Sequence, residues 1–61
     1  MLEVIITYVD RETPPEVLSI LTYLRGDNYW QFLTVDGFTI NVLDHAVAKV
    51  EVHPVQNGDT K

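Results

Sequence analysis

The 61-residue chain contains no cysteine, which excludes disulfides, thiol chemistry and the usual zinc ligand sets. It is also poor in positive charge. Arg11, Arg25, Lys49 and Lys61 stand singly along the chain against nine acidic residues, giving a formal net charge of −5. A phosphate-binding surface needs Lys and Arg in clusters, so neither nucleic acid nor an anionic membrane is an expected partner. Glycine is scarce as well: Gly26, Gly37 and Gly58 are isolated, and no run of them forms a phosphate cradle. No apolar stretch approaches the ~20 residues of a membrane span. The opening MLEVIITYVD carries Glu3 and Asp10 and lacks a basic n-region, unlike a signal peptide. The expectation is a cytoplasmic protein whose reading frame begins at Met1.

What is present is ordinary globular material, 46% hydrophobic and 21% charged. A domain of about 60 residues buries only about 60% of its unfolded-chain surface. Small chains compensate with disulfides, metals or self-association. With cysteine absent, self-association is the expected compensation.

Leu2 to Val9 reads as a strand because Val4, Ile5, Ile6, Thr7, Tyr8 and Val9 form a β-branched and aromatic run. Thr13-Pro14-Pro15-Glu16 resembles a helix N-terminus, with Thr13 as cap, proline in the first turn and Glu16 completing a capping box. Val17, Ile20, Leu21 and Leu24 follow at i, i+3, i+4 and i+7, and Gly26 offers a left-handed stop. The spacing predicts a helix over Pro14 to Arg25, against a competing strand over Ile20 to Leu24. Tyr29 to Val35 and Phe38 to Leu43 read as a hairpin closed by Asp36-Gly37 in a type I′ turn. That turn places Trp30 opposite Leu43, and puts Leu33, Val35, Phe38 and Ile40 on one face. Val47 to Pro54 alternates, with Ala48, Val50 and Val52 inward and Lys49, Glu51 and His53 outward.

The expected fold is therefore α+β: a strand and a helix followed by a three-stranded antiparallel meander, with the helix packed on one face of a small sheet. The alternative is a small, partly open β-barrel with one helix. Residues 1–55 form the expected single domain, and 56–61, with no apolar side chain, a polar tail.

Signals for chemistry are weak. His45 and His53 have no metal-ligand spacing, and no metal or cofactor is expected. Ser19, the only serine, lacks a glycine elbow and a neighbouring base, so no catalytic residue is assigned. The stronger signal is apolar surface. With a helix covering the Leu33 face, Trp30, Phe32 and Leu43 lie opposite, joined by Ile5 and Val9, as an interface for a second copy or a protein partner.

The expectation is a non-catalytic interaction module that forms a homodimer or higher oligomer and binds a protein with a basic surface. One alternative is a nucleotide or metabolite binder with a subunit-interface pocket lined by Tyr23, Tyr29 or Trp30. The other is an acidic inhibitor or nucleic-acid mimic of the kind mobile elements encode. The charge distribution generates the first testable outcome: no retardation of DNA or RNA in gel-shift assays at physiological salt. A salt-sensitive complex tighter than about 10⁻⁶ M would contradict it.

Overall fold

The structure is a computed structural model that describes residues 1–55; the expected tail over 56–61 lies outside them. Five strands are present: β1 (Leu2–Tyr8), β2 (Glu16–Arg25), β3 (Tyr29–Thr34), β4 (Thr39–Leu43) and β5 (Val47–Pro54). A single 3₁₀ turn over Asp44–Ala46 links β4 to β5. All strand pairings are antiparallel, and the sheet order is β4-β3-β2-β1-β5. The α+β expectation is thereby overturned, because among the described residues no helix packs on this sheet. Its barrel alternative also required a helix and falls with it.

The segment expected as a helix is β2, the longest strand. Its ladder with β3 runs Ile20↔Thr34 and then Thr22↔Leu33, so Leu21 is an extra residue in a β-bulge. The bulge resets the alternation. Leu18 and Ile20 face inward before it, and Tyr23 lies against Phe32 and Arg25 over Trp30 after it. An alternation interrupted by one residue imitates the i, i+3, i+4, i+7 spacing of a helix. The cap residues also have other uses. Asp10 organises the turn before β2: its side chain accepts from Glu12 N–H at 3.0 Å and Thr13 Oγ1 at 2.9 Å. Thr13 N–H donates to the Asp10 carbonyl at 3.1 Å. Gly26 does not adopt positive φ; a Cβ there would overlap the Tyr29 ring.

The hairpin differs from expectation by one residue. Gly37 N–H donates to Thr34 C=O at 3.0 Å and Thr34 N–H to Phe38 C=O at 2.8 Å. Gly37 has φ 92° and is the one described residue with left-handed backbone. A type I′ turn needs positive φ at both central residues, whereas Asp36 remains negative. The connection is thus a three-residue loop ending in a glycine bulge. The register becomes Phe32↔Ile40, Trp30↔Val42 and Tyr29↔Leu43. A one-residue slip moves every β4 side chain to the opposite face. Trp30 consequently faces Val42 rather than Leu43.

The sheet buries one face against itself. Val4, Ile6, Ile20 and Phe32 are completely buried, with Leu2, Tyr8, Leu18, Trp30, Val42, Val47, Val50 and Val52 packed around them. Trp30 and Val42 come from one end of the strand order and Val50 from the other, so the sheet must curl to bring them together. Bulges at Leu21 and Ala48 supply local bending: Tyr8 pairs with Val47 and Thr7 with Lys49, leaving Ala48 unpaired. Ala48 is accordingly exposed rather than inward.

This core predicts a sharp contrast between the two sheet faces. Phe32→Ala should destabilise the protein by about 3–5 kcal/mol through loss of buried ring contacts. Leu24→Ala, at an outward position 55% exposed, should change stability by no more than about 0.5 kcal/mol. Urea unfolding of both variants checks the contrast.

Candidate functional site: an apolar cleft at the hairpin tip

The β3–β4 loop does not project freely into solvent. Val35 N–H donates to Ser19 C=O at 3.1 Å, which docks the loop against the start of β2. Thr34 secures its other side, accepting Phe38 N–H on Oγ1 at 3.0 Å. Between the loop and β2 lies a cleft of about 650 Å³, lined chiefly by Val17, Leu18, Val35, Phe38 and Ile40. Leu18 and Ile40 are half-buried, whereas Phe38 is 68% exposed, Val17 58% and Val35 41%. The rim is therefore apolar and wet. Asp36 is the one charged residue in the lining, and Glu16 immediately precedes Val17.

At the opposite end of β3, Asp44 holds two groups on one carboxylate oxygen. Arg25 Nη2 and Trp30 Nε1 each donate to Oδ1 at 3.1 Å. The Arg25 guanidinium lies 4.8 Å from the Trp30 ring centroid, and the Trp30 and Phe32 rings are nearly parallel at 6.1 Å. The arrangement satisfies the indole N–H and anchors the 3₁₀ turn to β2. Both charged partners are substantially solvated, so the ion pair itself contributes little.

The residues expected to form one interface are dispersed. Phe32 is fully buried and Trp30 is packed beside it, both on the inner face. Leu43 is on the outer face, opposite Tyr29 and 53% exposed. Ile5 is half-buried on the outer face between Val17 and Glu51, and Val9 is exposed in the β1–β2 connection. Tyr23 sits 6.3 Å from Trp30 on the inner side, whereas Tyr29 leans over Gly26. Trp30, Phe32 and Leu43 do not share one face: Trp30 and Phe32 lie on the inner side and Leu43 on the outer. Val35, Phe38 and Ile40, expected beneath a helix, line the cleft instead. Their sequence signal was a pair of large apolar side chains flanking a two-residue turn motif.

Titratable groups are engaged locally. His45 lies in the 3₁₀ turn before β5 and His53 near the far end of that strand. Among the described residues no group of three or more His, Asp or Glu side chains is placed to hold a metal ion. Lys49 first, and then His53, lower the Glu51 pKa; His53 Nε2 is 3.3 Å from Glu51 Oε1. The backbone N–H of Glu12, with the Thr13 hydroxyl, lowers that of Asp10. The Tyr8 hydroxyl donates to Glu16 Oε1 at 2.6 Å. That bond, then partial burial and the Glu16 charge, push Tyr8 from 10.0 up to about 12.

Comparison of the chain with protein-family models, curated proteins and solved structures finds no match.

The Tyr8–Glu16 bond crosses the β1–β2 pair and sets a pH dependence of known sign. A folded-state pKa above the unfolded value stabilises the fold below the unfolded value and ceases to do so at high pH. Stability should therefore fall between pH 10 and about 12 as Tyr8 deprotonates beside Glu16. In Tyr8→Phe that component of the decline should vanish. Urea midpoints measured across this range for both proteins provide the check.

Proposed function

We propose that this protein is a non-catalytic interaction module that docks an apolar segment of another protein in the Val17–Val35–Phe38 cleft. The observation carrying this reading is Phe38, a large aromatic residue 68% exposed on the rim of a 650 Å³ apolar depression. Aromatic anchors surrounded by smaller apolar contacts are the usual centres of binding energy at protein interfaces. Contiguous exposed apolar surface on a small domain marks such sites.

Charge narrows the partner. The cleft lining contains Asp36 and no lysine or arginine, and the chain carries −5 overall. A segment pairing leucine, phenylalanine or valine with flanking Lys or Arg would satisfy both features. The apolar part supplies contact area, while the basic part is steered by the acidic field in a salt-dependent manner. The cleft presents no pair of titratable groups suited to acid–base or nucleophilic work, which favours binding over catalysis.

A panel of short peptides combining apolar and basic residues tests the reading by titration into isotopically labelled protein. The expected result is movement of the amide resonances of Val17, Val35 and Phe38, weakening as salt is raised. Phe38→Ser should reduce affinity at least about tenfold, equivalent to ~1.4 kcal/mol, while leaving the fold intact. Peptides that bind equally well to Phe38→Ser, or that shift only resonances elsewhere, would refute the cleft as the docking site.

A further inference from the structure

The two edges of the sheet are built differently. β5 carries Lys49, Glu51 and His53 on its outward face and ends in Pro54, which has no N–H to offer. Charges and proline are the devices by which edge strands avoid pairing with other chains. β4, Thr-Ile-Asn-Val-Leu over Thr39–Leu43, has no charged residue and no proline. It pairs with β3 alone.

The hydrogen-bond parity of that edge is fixed by the bonds at its two ends. Thr34 N–H donates to Phe38 C=O, and Asp44 N–H donates to Asn28 C=O. In an antiparallel ladder such bonded pairs occur at every second residue. Phe38, Ile40, Val42 and Asp44 therefore direct their backbone groups toward β3. Thr39, Asn41 and Leu43 direct their N–H and C=O groups away from the sheet.

We propose that β4 pairs antiparallel with β4 of a second copy about a two-fold axis through Asn41, joining two sheets into one. This inference is independent of the cleft reading. Its basis is self-complementarity. With Asn41 opposite Asn41, Thr39 lies opposite Leu43 and Ile40 opposite Val42. The outward backbone groups of Thr39, Asn41 and Leu43 then meet their symmetry mates as hydrogen-bonded pairs.

The side chains also match. Ile40 and Val42, both on the half-buried inner face, extend each copy's apolar layer toward the other. On the outer face, Asn41 Oδ1 accepts from Gln31 Nε2 at 3.1 Å, leaving its NH₂ free to donate across the axis. The register sets Asp44 against Phe38, so no like charges confront one another despite the net charge of −5. A two-fold pairing of β5 about Glu51 would instead place two carboxylates face to face. β4 is thus the edge on which neither charge nor proline opposes self-pairing.

Light scattering coupled to size exclusion should give twice the 7.0 kDa chain mass at micromolar concentration. Asn41→Pro removes an outward N–H while sparing the β3 ladder and should give a folded monomer. Asn41→Lys provides a second route, placing two ammonium groups across the axis. In hydrogen exchange, the Thr39, Asn41 and Leu43 amides should gain protection with concentration, whereas Ile40 and Val42 stay protected throughout. The proposal is overturned by a wild-type protein that remains monomeric at millimolar concentration. It is also overturned by a dimer that persists in both Asn41 variants, or by amide protection at Thr39, Asn41 and Leu43 that ignores concentration. Peptide binding at the Phe38 cleft is scored separately, because neither Asn41 variant alters a residue lining it.

Discussion

Among the described residues the single sheet has no covering helix and only itself to pack against. That constraint governs the rest of this molecule. To exclude water, the inner face must close around Val4, Ile6, Ile20 and Phe32, and a flat sheet cannot do so. The extra residues Leu21 and Ala48 bend the outer parts of the β2 and β5 ladders, increasing local twist where the edges must approach. Trp30 helps to join the curled ends, and its N–H is paired with Asp44 rather than left unsatisfied. The 3₁₀ turn between β4 and β5 is thus fixed by the same contact that completes the core.

Closure of this kind leaves characteristic residues uncovered. Fully buried side chains are few, while Val17, Leu24, Phe38 and Leu43 are all more than half exposed. The outer face has no second layer above it, and the inner face is open beside the β3–β4 loop. Apolar exposure at these places is therefore a consequence of architecture before it is a sign of function. What distinguishes the cleft is concentration: Val17, Val35 and Phe38 converge on one depression, whereas Leu24 and Leu43 stand on an outer face interspersed with Thr22, Gln31 and Asn41.

The strand pattern was legible where alternation is uninterrupted. Leu2 to Tyr8, Tyr29 to Thr34 and Val47 to Pro54 follow from β-branched and aromatic runs bounded by polar or proline residues. It was illegible where one residue breaks the period. Leu21 converts a strand into an apparent helical stripe, and Pro14-Pro15 supplies a false start that belongs to the β1–β2 connection. The hairpin shows the same sensitivity on a smaller scale. Asp36-Gly37 does mark the turn, but Val35 belongs to the loop as well, and that added residue decides which side of β4 meets the core. Side-chain direction has a period of two, so even a small error in loop length reverses it. The candidate surface carries that reversal on β3: Trp30 and Phe32, expected outside, lie on the inner face.

Position in the sheet also separates the cleft from the β4 edge. The cleft is walled by β2 and the hairpin loop, and its contacts are made by side chains. The β4 edge contacts are made by backbone groups and depend on the register set by Gly37 at φ 92°. A residue with a Cβ would be strained in that conformation, so the glycine fixes both Phe38 on the rim and the outward parity of Thr39, Asn41 and Leu43. One turn residue therefore orients two unlike surfaces, one made of apolar side chains and the other of outward backbone groups. Because the edge carries no charge and the cleft lining carries one carboxylate, Asp36, ionic strength acts unequally on the two proposed contacts. Salt weakens attraction of a basic segment to the rim, but screens the mutual repulsion of two acidic chains brought together along β4.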